Sequence, residues 1–167
     1  FYNFGQIIYL DKISQQDWIS FIGERFRETG KQIGPEEASM IASLAENHPY
    51  YVQQLAQQAW LRTTKHCSKE IVKASHQSLT DQLSLLFTGL THSLSNGQLG
   101  LLKALLSGEK QLSSQASLKK YRLGTSGNVS RLKKTLVDKD ILDLQGENLT
   151  FQDPVYACWL REYYFKL

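Results

Sequence analysis

Apolar residues recur at helical spacing through most of this chain. Trp18, Ile22 and Phe26 lie four residues apart and predict one face of a helix, with Ser14 placed to cap its start and Asp17 three residues on. Gly30 stands where that helix should stop. Pro35 fits the first turn of a second helix, Glu36 and Glu37 match the positive end of its dipole, and Ile41, Leu44 and Ala45 form its inner face. Asn47-His48-Pro49 interrupts the pattern. A third helix is expected from Pro49 to Arg62, burying Val52, Leu55, Ala56 and Ala59. Ser68 opens a fourth, and Leu79, Leu83, Leu86 and Leu90 predict a separate fifth. Ahead of these helices, Gln6–Leu10 reads as a short strand.

A second unit is expected from about Leu94. Ser95-Asn96-Gly97-Gln98 has the form of a capping box, followed by a stripe of Leu99, Leu102, Leu105 and Leu106. Ser113 or Ser114 caps a short helix through Tyr121, Gly124–Gly127 forms a tight turn, and Asn128–Lys139 a third helix with Val129, Leu132 and Leu136 inward. Ile141–Leu144 and Leu149–Phe151, separated by Gln145-Gly146-Glu147-Asn148, read as a β-hairpin, and Asp153-Pro154 starts a terminal helix. Helix, helix, turn, helix, hairpin is the order of a winged helix-turn-helix. The expected fold is therefore mainly α, with a small hairpin.

Charge changes this picture. Residues 1–94 carry 8 Lys and Arg against 9 Asp and Glu, whereas residues 95–142 carry 9 against 3, a balance of +6. Such an asymmetry points to a polyanion partner for the second half, set against a merely solvated basic face. With Val129, Leu132 and Leu136 inward, the 100° step per residue turns Ser130, Arg131 and Lys134 outward and leaves Lys133 at the flank. Arg131 suits a guanine edge or a phosphate; Lys119, Lys120, Arg122 and Lys134 suit the backbone of double-stranded DNA; Asn128 and the amides near Ser126 suit a phosphate at the helix start. The hairpin tip carries Glu147 and no basic residue, which is poor chemistry for a wing in a minor groove.

The remaining chemistry is sparse. Cys67 and Cys158 lie far apart, and His66, Cys67 and His76 fit no metal-ligand spacing. There is no Gly-x-x-x-x-Gly-Lys-Ser/Thr, so no loop to cradle phosphates, and no nucleophile–base constellation. No apolar run approaches about 18 residues, so no membrane contact is expected. A reduced, cytoplasmic chain is the simplest reading, and a chain that opens at Phe1 with Met40 as its single methionine is expected to be a segment of a longer protein.

Three stretches carry a family resemblance: Asn47-His48-Pro49 with the helix after it, Gly127–Leu136, and Leu149–Arg161. They resemble the lid and the winged helix of STAND-type and archaeal-type ATPases of the AAA+ superfamily. The resemblance implies a strand remnant of an upstream ATPase core in residues 1–12, a helical lid with linker helices in 13–92, and a winged helix in 93–167. It further implies that Pro49, with His48 beside it, lies near the nucleotide base, although Asn47 stands where the family has glycine. ATP and magnesium would be held by the upstream core, leaving this segment no catalysis of its own. Two partners stay open for the winged helix: double-stranded DNA, or a protein surface, including the ATPase core itself, for which Trp159, Tyr163, Tyr164 and Phe165 would suit packing.

Overall fold

The computed structural model describes residues 13–145 and 148–167, which divide into two compact units at Leu79/Thr80. The expected strand at Gln6–Leu10 and the hairpin tip at Gly146 and Glu147 lie outside the described residues.

In the first unit, α1 (Gln15–Glu28) buries Trp18, Ile22 and Phe26. Its cap is reciprocal: Ser14 Oγ accepts from the Asp17 amide and donates to the Asp17 carboxylate at 2.7 Å. Helix α2 (Pro35–Leu44) packs on α1, with Gln15 Nε2 donating to the hydroxyls of Ser39 (2.7 Å) and Ser43 (3.0 Å). Of the expected inner face Ile41 and Ala45 are buried and Leu44 only half-buried, and Ala38 and Ala42 join the buried side. Helix α3 (Pro49–Arg62) buries Tyr51, Val52, Leu55 and Ala59. Two short strands, β1 (Gln32–Ile33) and β2 (His66–Cys67), form a parallel pair that the hydrophobic pattern did not announce.

Helix α4 runs unbroken from Lys69 to His92, so the two helices expected after Ser68 are one. Neither proline nor a left-handed residue interrupts it. The expected leucine face is also displaced: Leu86 is 65% exposed, while Phe87 and Thr91 are buried. The reason is a distant partner. Phe87 lies 5.1 Å from the Tyr156 ring and 5.8 Å from Trp159. Thr91 Oγ1 and the Tyr156 hydroxyl are 2.9 Å apart, and the Trp159 indole donates to Ser84 Oγ at 3.0 Å.

The rest of the second unit consists of α5 (Asn96–Leu106), α6 (Gln115–Lys120), α7 (Ser126–Asp138), an antiparallel hairpin of β3 (Leu142–Gln145) and β4 (Asn148–Phe151), and α8 (Pro154–Trp159), which continues into a π-helical turn, Leu160–Tyr164. The capping box at Ser95 and Gln98 is present with both hydrogen bonds. The buried stripe of α5 is Leu101, Leu102 and Ala104; of the expected leucines only Leu102 is fully inside. Helices α1, α5, α6 and α7 each close with the amide two positions past the cap bonded to a carbonyl of the last turn: Lys31 to Phe26, Glu109 to Ala104, Leu123 to Leu118 and Ile141 to Leu136. The left-handed residue this closure needs is Gly30 in α1 and Gly108 in α5, but Arg122 in α6 and Asp140 in α7. Among the described residues no helix is long and apolar enough to cross a membrane.

Candidate nucleic-acid interface

The basic face is assembled by packing, not by charge. Gly100 on α5 lies directly against the Tyr121 carbonyl oxygen that ends α6, and a Cβ there would overlap it. This close approach seats α6 and its following turn on α5. Leu118, Leu123, Val129, Leu132 and Leu136 then fill the space behind α6 and α7. Arg122 (φ 55°) and Gly124 (φ 80°) turn the chain between the two helices, and Thr125 caps α7 by accepting from the Asn128 amide.

This framework leaves Lys119, Lys120, Arg122, Ser130, Arg131 and Lys134 exposed, and Lys133 half-buried at the flank. Ser130, Arg131 and Lys134 share one face of α7, as the helical step required. Asp138 is exposed at the far end of the helix. Among the described residues none of the six basic side chains is joined to a carboxylate by an ion pair. Lys120 instead lies 4.9 Å from the centre of the Tyr121 ring. Its hydrogen bond to the Tyr121 phenol raises the lysine's pKa and, with a second bond from Ser107, lowers the phenol's, so Lys120 is firmly cationic. The Glu109 carboxylate also favours that charge from farther off.

Asn128 is placed differently from its neighbours. Its amide Nδ2 donates to the Leu123 carbonyl at 2.7 Å, and its Oδ1 accepts from Arg131 Nη2 at 2.8 Å. Its backbone amide is taken by Thr125 Oγ1. One Nδ2 hydrogen, Oδ1 and the backbone N–H are therefore engaged within the chain, where the sequence had suggested a phosphate contact. The Asn–Arg spacing of three on one helix was the signal that could have disclosed this pair. The hairpin presents Leu144, which is exposed, and Asp143 beside it.

In the first unit, Glu46 (φ 48°) and Asn47 (φ 57°) are both left-handed, a conformation glycine adopts without strain. His48 is the N-cap residue of α3 without a side-chain cap bond, and Pro49 occupies the first turn. Pro49 is exposed and the His48 ring packs 5.1 Å from Tyr51. Asn47 Oδ1 and His48 Nδ1 are both enclosed with no hydrogen-bond partner among the described residues. Among the described residues no group of His, Cys, Asp and Glu is arranged to hold a metal ion.

Residues 85–162 match the family model described as a probable winged helix domain. A winged helix is present. The match spans α5 to α8 and begins inside α4, at the residue after Ser84. A search of curated proteins and one of solved structures give no match.

Proposed function

We propose that the winged helix binds double-stranded DNA through the exposed face of α7 and the α6–α7 turn. The observation that carries this reading is the cluster of Lys119, Lys120, Arg122, Arg131 and Lys134, all exposed and none neutralised by a carboxylate among the described residues. Cations left unpaired on a solvated face exchange condensed counterions for phosphates, a gain that needs no sequence match. Anisotropy of a labelled arbitrary duplex, titrated across a salt series, tests it. Affinity should fall steeply with salt, and Arg131→Ala or Lys134→Ala should each reduce the logarithmic slope by about one. No binding at low salt would end this reading.

The hairpin favours a second reading. Its exposed Leu144 and adjacent Asp143 suit a protein surface better than a DNA groove. On that reading the winged helix is a regulatory contact within a STAND-type signalling ATPase, and Leu144→Lys would weaken the partner contact while leaving duplex affinity unchanged or higher.

For the first unit we propose the role of a nucleotide lid in such an ATPase. The support is local: the left-handed Asn47, the Pro49 helix start, and Asn47 Oδ1 and His48 Nδ1 beside it, which have no partner among the described residues. A helix N-terminus with spare polar atoms is suited to a nucleotide. In the full-length protein Pro49→Ala should weaken nucleotide binding; unchanged affinity would remove the assignment.

A further inference from the structure

The geometry points to Asn128 as a positioning residue that fixes Arg131 to read a guanine in the major groove, a role that rests on the DNA-binding reading. The ligand is then a duplex with a guanine-bearing site, not duplex DNA in general.

The two ends of an asparagine side chain look alike in shape, so only the partners decide which end faces where. The Leu123 carbonyl can only accept, so Nδ2 must face it, at 2.7 Å. Oδ1 is thereby forced outward, where it accepts from Arg131 Nη2 at 2.8 Å. The turn leaves room for this. Gly124 is left-handed at φ 80°, and a Cβ there would lie 3.3 Å from Asn128 Nδ2. Leu123 itself is completely buried, so the chain of bonds is anchored in the core.

The consequence falls on Arg131. An exposed arginine samples many rotamers and loses that freedom on binding. One held by a neutral acceptor keeps its full charge and has already lost part of the freedom. A phosphate gains less from this, because its oxygens can be met from several directions and also by a lysine point charge. A base-edge contact does, because the planar guanidinium must meet guanine O6 and N7 in one plane. Asn128 occupies only one of the donor N–H groups and leaves others of the fork for the base. Position also agrees: Arg131 lies in the N-terminal half of α7, the part of a recognition helix that meets base edges. Lys119, Lys120 and Lys134 are exposed point charges on flexible stems and fit the backbone-contacting role.

The test uses the whole chain and a randomised duplex pool. Wild type should enrich a guanine-bearing site and prefer it about 10-fold or more over the same duplex with that guanine replaced. Asn128→Ala should remove most of this preference while affinity for arbitrary duplex, and its salt slope, stay within about twofold. Arg131→Lys should remove the preference too, and adding Asn128→Ala to it should change nothing more. That last comparison separates positioning from a general loss of structure, because a merely folded-state defect would persist in the Arg131→Lys background. An Asn128→Ala effect that strikes specific and arbitrary duplexes equally, or that survives undiminished beside Arg131→Lys, overturns the inference. A wild type that binds duplex without preference also overturns it and leaves DNA binding standing. A wild type that binds no duplex at low salt brings down the DNA reading itself.

Discussion

The two units differ in how their surface charge is balanced. In the first, Lys69 pairs with Glu36 at 2.6 Å and Arg25 with Glu28 at 2.7 Å. In the second, the cations of α6 and α7 have no carboxylate partner among the described residues, although Glu109 and Asp138 are close along the chain. Exposed ion pairs add little stability, so the first arrangement is not a stabilising device of any size. What it does is cancel field. A polyanion would be drawn to the basic face of the second unit and not to the balanced surface of the first.

Charge reversal breaks this contrast most visibly. Arg131→Glu with Lys134→Glu should lower duplex affinity by two orders of magnitude or more at low salt, since each substitution both removes a phosphate contact and repels one. The same measurement on Lys69→Glu in the first unit should show almost no change. Next in size is the scaffold behind the basic face. Gly100→Ala forces a methyl group into the Tyr121 carbonyl and should destabilise the second unit by about 1–3 kcal/mol, seen in chemical unfolding followed by circular dichroism.

A smaller effect should appear at alkaline pH. Burial pushes the Tyr156 phenol above its ordinary value, against the opposing hydrogen bond with Thr91. The unfolded phenol ionises first, at about pH 10. The stability tied to keeping Tyr156 neutral is therefore complete below that pH and is lost as pH rises through the folded value. Tyr156→Phe should flatten the alkaline limb of the unfolding curve relative to wild type. The smallest effect concerns Asp140, left-handed at φ 54° at the close of α7. Asp140→Gly should raise stability by about 0.5–1 kcal/mol and, by removing a negative charge from that end of the helix, slightly increase duplex affinity.

Much of the second unit was legible from residue order alone. The inward set Val129, Leu132 and Leu136, the outward Arg131 and Lys134, the capping box and the hairpin all follow from local periodicity and local hydrogen bonds. What escaped depends on partners distant along the chain. Leucine spacing placed Leu86 inside, yet Tyr156 and Trp159 select the other face of α4, through Phe87 and Thr91. Helix ends were read close to where they fall, at Gly30, Tyr121 and Lys139, but the left-handed turns at Arg122 and Asp140 were not, because those side chains give no such sign. The β1–β2 pair spans two residues on each side, too short for any alternation to show. At the basic face the charges, and by its spacing the Asn128–Arg131 pair, were readable from the sequence, but the bond that anchors Asn128 was not, because its acceptor is a backbone carbonyl.

The polar tips of Trp159 and Tyr156 both end on hydroxyls of α4, Ser84 for the indole and Thr91 for the phenol. Those hydroxyls let two large rings be sheltered without stranding an N–H or O–H in an oily interior. A fragment cut just ahead of Leu94 would take that roof away, leaving rings in water and their donors unmet. Anyone preparing the winged helix in isolation should start upstream of Ser84, where shelter for the rings begins.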